Sequence, residues 1–237
     1  MWSNPANSGT RGVSGTPGEN PSRVESDEVR SGRHDDDAGG LSESDVDADP
    51  FVQFRRWLEG ALEANAPEPN AMALASADAA GRPSVRIVLL RGYDARGFRF
   101  FTNYESRKGR ELAARAEAAA LFFWPALQRQ IRIEGSVEML AASESDTYFA
   151  SRPRGHRLSA WASPQSTVIE SRDALEARVR EMEERFAGTE IPRPANWGGF
   201  RLAPRTFEFW QGRPNRVHDR ILFERVQEEW RRARLAP

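Results

Sequence analysis

The strongest constraint on this chain is a series of short apolar runs, each closed within a few residues by a turn signal. Runs 71–76, 84–90 and 98–102 are separated by Asp78-Ala79-Ala80-Gly81 and Asp94-Ala95-Arg96-Gly97. Short Val-, Ile-, Leu- and Phe-rich segments divided by Asp- and Gly-containing turns predict an antiparallel meander. Runs 119–124 and 128–140 predict a further hairpin, with Pro125 near its turn, and 199–202 with 206–211, 221–225 and 230–235 predict strands near the C-terminus. Helical spacing appears between them. Asp49-Pro50 supplies an N-cap and a first-turn proline, followed by Phe51, Phe54, Leu58, Ala61 and Leu62 on one face to about residue 66. Short helices are expected after Ser106-Arg107-Lys108-Gly109-Arg110 and over 143–149, and 151–163 reads as a loop. Thr167 and Glu170 form a capping box for a helix carrying Leu175, Val179, Met182 and Phe186 to about residue 187. The fold expected is mainly β with inserted helices (α+β), its antiparallel strands closing or nearly closing into a barrel.

Composition sets the limits. Residues 1–48 are rich in Ser, Gly, Asp, Glu and Pro, with Trp2 their one aromatic. Such a segment buries too little apolar surface to offset its ordering entropy, which predicts a disordered tail and a single folded domain over 49–237. The chain has no cysteine, so disulfides, thiolate catalysis and cysteine-based metal sites are excluded. The three histidines, His34, His156 and His218, lack metal-site spacing, so no metal is expected. With no apolar leader region and no run near the ~20 residues that span a bilayer, the expectation is a soluble cytoplasmic protein without membrane contact. The net charge of -1 favours no partner, and the basic residues are scattered among apolar strands rather than drawn into a stripe, which argues against nucleic acid.

Several clusters carry potential chemistry. Arg86-Ile87-Val88-Leu89-Leu90-Arg91 is an apolar strand bracketed by arginines, which either lie in solvent at its ends or need partners. Thr102-Asn103 and Ser106-Arg107-Lys108 place cations at a strand-to-helix junction suited to phosphate, or form a solvated helix start. Tyr148, Arg152 and His156 suit a second phosphate, or a basic surface loop, while Gln130, Gln165 and Ser166 suit hydrogen bonds to a heterocycle. Arg216, His218 and Arg220 alternate, so an extended strand would send all three from one face, where like charges call for an anion between them. No Gly-rich dinucleotide motif, Walker motif or nucleophile elbow is present.

Together these segments, with Trp197-Gly198-Gly199-Phe200, Phe209-Trp210-Gln211-Gly212, Arg216-Val217-His218-Asp219-Arg220 and Arg234-Leu235-Ala236-Pro237, resemble the pyridoxamine/pyridoxine 5′-phosphate oxidase family. The resemblance implies an antiparallel split β-barrel that binds flavin mononucleotide (FMN) at a homodimer interface, with 197–237 serving the dimer and the substrate. It implies an FMN site of Arg86, Ile87, Val88, Leu89, Leu90, Arg91, Phe101, Thr102, Arg107, Lys108, Gln130, Gln165, Ser166, Trp210 and Arg220. It further implies that Arg91, Tyr148, Arg152 and His156 hold the substrate phosphate, and that Arg216, Val217 and His218 lie over the substrate ring, with Arg216 and His218 catalytic. The implied reaction oxidises pyridoxamine or pyridoxine 5′-phosphate to pyridoxal 5′-phosphate with O2 as acceptor, in vitamin B6 synthesis or salvage. Four positions depart from the family's usual residues: Arg91 stands for lysine, His156 for serine, Phe101 for tyrosine, and Asp36 for a tyrosine of the N-terminal cover. Two other readings compete, a related flavin oxidase of phenazine-biosynthesis type and a non-catalytic flavin- or heme-binding split barrel.

Overall fold

Alternation along the apolar runs decides which side of each strand is buried. The computed structural model describes residues 39–237. In order it contains α1 (Pro50–Glu63), β1 (Ala71–Ala77), β2 (Pro83–Leu89), β3 (Tyr93–Asp94), β4 (Gly97–Asn103), α2 (Arg107–Ala114), β5 (Glu117–Trp124) and β6 (Arg129–Met139). Then follow α3 (Ala142–Ser151), α4 (Arg154–Ala162), α5 (Arg172–Arg185), β7 (Trp197–Gln211), β8 (Asp219–Val226) and β9 (Glu229–Arg234). In β1 every second residue is buried, so Met72 and Leu74 face the interior.

All strand pairs are antiparallel, in the order β2-β1-β5-β6-β7-β4-β3, and β8 and β9 extend the sheet from β7. The ends of this path, β2 and β3, are joined through residues 90–92, and Arg91 and Gly92 exchange backbone hydrogen bonds with Arg99 of β4. The sheet thereby closes into the expected barrel. Its core is aromatic: Phe54 of α1 packs edge-on against Tyr93, Phe98 and Phe122, at centroid distances of 4.9, 4.8 and 5.2 Å. Helix α1 starts as read, the Asp49 carboxylate accepting from the Phe51 N–H at 2.8 Å.

Four local expectations need correction. The two segments 199–202 and 206–211 are one strand, β7, with a bulge where Glu134 pairs Thr206 and Gly135 pairs Pro204. Pro204 cannot donate to a ladder, and the bulge accommodates it; a Cβ on Gly135 would sit 1.9 Å from the Ala203 oxygen. Residues 154–162 are helix α4 rather than loop, because Leu158 and Ala162, four apart, bury against α5, an apolar stripe too short to read in the sequence. The α5 cap is Ser171, whose Oγ accepts from the Ala174 N–H, whereas the Thr167 hydroxyl donates to the Pro164 carbonyl. Residues 41–48 also belong to the folded body: Leu41 and Val46 are core residues, and Arg234 binds the Glu43 carboxylate through two nitrogens at 2.7 and 2.8 Å. Residues 1–38 of the expected tail, including Trp2, His34 and Asp36, lie outside the described residues.

This packing predicts the effect of truncation. Removing residues 1–48 should lower the melting temperature relative to removing 1–38, because the shorter chain loses Leu41 and Val46, each worth ~1.5–3 kcal/mol when buried. Thermal denaturation of the two truncated proteins checks this.

Candidate functional site

Strand ends and helix starts bring the clustered residues to one cavity of about 840 Å³. The far part of β2 and the residue that closes the barrel supply Ile87, Val88, Leu89 and Arg91; β4 supplies Phe101 and Thr102; α2 supplies Lys108. Tyr148, Arg152 and His156 enter from α3, the α3–α4 junction and α4, and Gln165 from the loop before α5. Three cations and a histidine thus line the cavity, and among the described residues no carboxylate does.

The floor is a stack of rings. Phe101 and Tyr148 lie 3.9 Å apart, Phe101 and Trp197 5.7 Å, and the Arg152 guanidinium sits 4.5 Å from the Trp197 ring centroid. Arg152 Nη1 is buried and finds no hydrogen-bond partner among the described residues. Burial holds the Arg152 pKa below its ordinary value, with Tyr148 opposing that shift and the Arg91 charge adding to it. An unpaired buried donor beside a second arginine is the electrostatic complement of a phosphate or carboxylate.

At the other end, Lys108 Nζ donates to Thr102 Oγ1 at 3.0 Å and Gln165 Oε1 at 3.1 Å. Burial lowers the Lys108 pKa, the Arg86 charge lowers it further, and Glu111 opposes both. The ammonium is therefore under-compensated, another donor prepared for an anion.

Arg86 and Arg107 stand just behind the cavity, both held by Glu111. Its carboxylate accepts from Ser76 at 2.6 Å, Ser84 at 2.5 Å, Arg107 Nε at 2.8 Å and Arg86 Nη2 at 3.0 Å. The Arg86 side chain is thus partnered in mid-strand, not left at a solvated strand end. Sequence reading missed Glu111. Its one signal was the four-residue spacing from Arg107 on a helix. Leu90 is in the barrel core, and Ser166 lies beside the cavity in a left-handed conformation with φ 69°.

The remaining expected residues form a separate group. Gln130, Trp210 and Arg220 are direct cross-strand neighbours on β6, β7 and β8. The His218 ring lies 4.7 Å from Trp210, and its Nδ1 accepts from the Arg213 N–H at 3.1 Å. The alternation of Arg216, His218 and Arg220 on one extended face is corrected: Pro214–Arg216 is a 3₁₀ turn, Asn215 and Arg216 are left-handed with φ of 57° and 62°, and β8 begins only at Asp219. Arg220 is aimed instead by the buried Glu208, at 2.8 Å, a second carboxylate that sequence reading missed. Arg216, Val217 and His218 do not line the cavity of their own chain.

Glu111 makes a prediction for acid stability. Burial disfavours its ionised form, but the hydrogen bonds from Ser76, Ser84, Arg107 and Arg86 outweigh that and lower its pKa from 4.5 to about 2. A depressed folded-state pKa contributes stability that is present above 4.5 and is lost as pH falls toward 2. Melting temperatures measured from pH 6 down to ~3 should fall less steeply in Glu111→Gln than in the wild type, from a lower starting value at pH 6.

The comparisons agree with this geometry. Residues 58–186 match the family described as pyridoxamine 5′-phosphate oxidase, and residues 197–237 match the pyridoxine 5′-phosphate oxidase C-terminal dimerisation region. Pyridoxine/pyridoxamine 5′-phosphate oxidase of Burkholderia thailandensis is 60% identical over 200 residues, covering 83% of this chain and 93% of that protein. The protein of that name from Paraburkholderia phytofirmans is 56% identical over 201 residues, covering 84% and 94%. Among solved structures, PhzG from Burkholderia lata in complex with tetrahydrophenazine-1-carboxylic acid is 36% identical, with TM-score 0.78, covering 83% of this chain and 98% of that one. A pyridoxamine 5′-phosphate oxidase-related, FMN-binding protein from Nostoc punctiforme, 19% identical with TM-score 0.65 and covering 81% and 100%, shares the fold. Barrel, cavity and sequence together show that the chain belongs to the pyridoxamine 5′-phosphate oxidase family.

Proposed function

We propose that this chain is an FMN-dependent oxidase that converts pyridoxamine 5′-phosphate and pyridoxine 5′-phosphate to pyridoxal 5′-phosphate, working as a homodimer. The observation that carries this reading is the carboxylate-free cavity, with the unpartnered Arg152 Nη1 at one end and the under-compensated Lys108 at the other. Two anionic groups, the phosphates of FMN and of the substrate, fit two such cationic ends.

Lys108, with Arg86 and Arg107 oriented by Glu111, binds the cofactor phosphate, while Thr102 and Gln165 offer hydrogen bonds to the cofactor beside it. Arg91, Tyr148, Arg152 and His156 bind the substrate phosphate. FMN held there would supply the two-electron oxidation at the substrate C4′ carbon, with O2 as the acceptor reduced to H2O2. Water then hydrolyses the imine formed from the amine substrate, releasing ammonia, while the alcohol substrate gives the aldehyde directly.

Arg216, Val217 and His218 reach the cavity of the second copy. They lie within the matched dimerisation region, outside the cavity of their own chain, and Val217 is 65% exposed. With them come Gln130, Trp210 and Arg220, which complete the cofactor site from the other chain. There Arg216 and His218 clamp the substrate ring and stabilise charge at its substituents, and the enclosing side chains restrict its orientation.

A second reading rests on the likeness to PhzG, whose ligand is a carboxylate on a reduced phenazine. An arginine cluster accepts a carboxylate as well as a phosphate. Anaerobic addition of pyridoxine 5′-phosphate to the yellow holoenzyme distinguishes them. Bleaching of the flavin band is the expected result. A band that persists with this substrate and bleaches with a reduced phenazine carboxylate would move the assignment to the second reading.

Two variants extend the test. Arg152→Ala should raise KM for pyridoxine 5′-phosphate roughly 10–100-fold, with a smaller change in kcat, since a hydrogen bond to a charged group contributes ~1.5–3 kcal/mol. The double variant Arg216→Ala, His218→Ala should keep FMN bound and lose most turnover; retained turnover would sink the clamp assignment.

A further inference from the structure

The turn between β7 and β8 holds an energetically unfavourable shape. Asn215 and Arg216 are consecutive non-glycine residues with φ of 57° and 62°. Left-handed backbone is disfavoured for side-chain-bearing residues and persists where surrounding contacts over-determine it. The turn is closed from within by the Arg213 N–H on His218 Nδ1 and by the tilted packing of the His218 ring against Trp210.

From outside, it is held by Asp219, the first residue of β8. The Asp219 carboxylate accepts from the Leu41 N–H at 3.0 Å and from Arg234 Nη1 at 2.7 Å, and its Oδ2 lies 3.6 Å from Arg213 Nε. One side chain therefore joins the N-terminal segment, the last strand and the first residue of the turn. Its side chain is only 20% exposed, and Arg234 is itself anchored to Glu43 and to the Leu41 carbonyl.

We propose that Asp219 is a positioning residue for the oxidation: by tying Arg213 and β8 to the N-terminal segment and to Arg234, it fixes the strained turn that presents Arg216 and His218. It acts through these neighbours and does not itself meet substrate. The proposal rests on the reading above that Arg216 and His218 face substrate. Mis-setting such a pair by ~1 Å costs catalysis on the order of 10²-fold, far more than it costs cofactor binding.

The test uses the full-length holoenzyme and four variants: Asp219→Ala, Asp219→Asn, Glu43→Gln and His218→Ala. Asp219→Ala should lower kcat/KM for pyridoxine 5′-phosphate roughly 10–100-fold while FMN content and the dimer are kept. Asp219→Asn retains an acceptor for the Leu41 N–H but turns donors toward Arg234, and should lose less than the alanine variant. Glu43→Gln weakens one anchor of Arg234 but leaves the three Asp219 contacts in place, and should cost clearly less kcat/KM than Asp219→Ala. The proposal is overturned if Asp219→Ala keeps wild-type kcat/KM, if its loss follows a parallel loss of FMN or dimer, or if Glu43→Gln matches its loss. If Asp219→Ala does not fold, Asp219→Asn carries the same comparison. Wild-type kcat/KM in His218→Ala is a different failure, because it removes the substrate-facing reading itself.

Discussion

Strand β7 is the constraint on which the rest of the molecule depends. Its fifteen residues pair along one edge with β6, and along the other with β4 in the first half and β8 in the second. A straight strand with one register cannot serve three neighbours around a closed barrel. The bulge at Pro204 resolves this by adding twist, so that the first half pairs with β4 and the second with β8. Trp197, at one end, floors the cavity beneath Arg152, while Trp210, near the other, backs His218. The two groups of candidate residues thus lie toward the two ends of one strand, and in the function proposed above they meet across two chains.

The electrostatics follow a consistent division. Among the described residues no carboxylate lines the cavity; Glu111 stands behind it, holding Arg86 and Arg107, and toward the other end of β7 Glu208 holds Arg132 and Arg220. An arginine at a partly buried site needs a partner to be tolerated and an unspent donor to bind an anion. One carboxylate shared by two arginines meets the first need and leaves donors for the second. Arg152 differs: it has ring faces instead of a carboxylate, and its buried Nη1 has no hydrogen-bond partner among the described residues.

Much of this was legible in the chain. Alternating apolar runs and their turns give the strands, since period-two burial is a local property of each segment. The Asp49-Pro50 start of α1 was readable for the same reason: the cap contacts its own first turn. What escaped were features made by distant partners. Helix α4 shows only two buried side chains, so its pattern is weak until α5 is in place. Residues 41–48 read as tail by composition, yet Leu41 and Glu43 are held by Asp219 and Arg234, nearly two hundred residues away. The Arg216–His218–Arg220 alternation failed because strand geometry was assumed where the backbone turns left-handed.

The sequence by itself determined the antiparallel strands, the absence of thiol chemistry and the identity of the cations and aromatics available for an anionic ligand. Those follow from residue type and spacing, which act over a few residues. Tertiary structure decided which cations share a cavity, which carboxylates restrain them and which expected residues stand apart from it. Such choices depend on barrel closure and on the register of β7, and register is fixed by burial over the whole sheet rather than by any one segment.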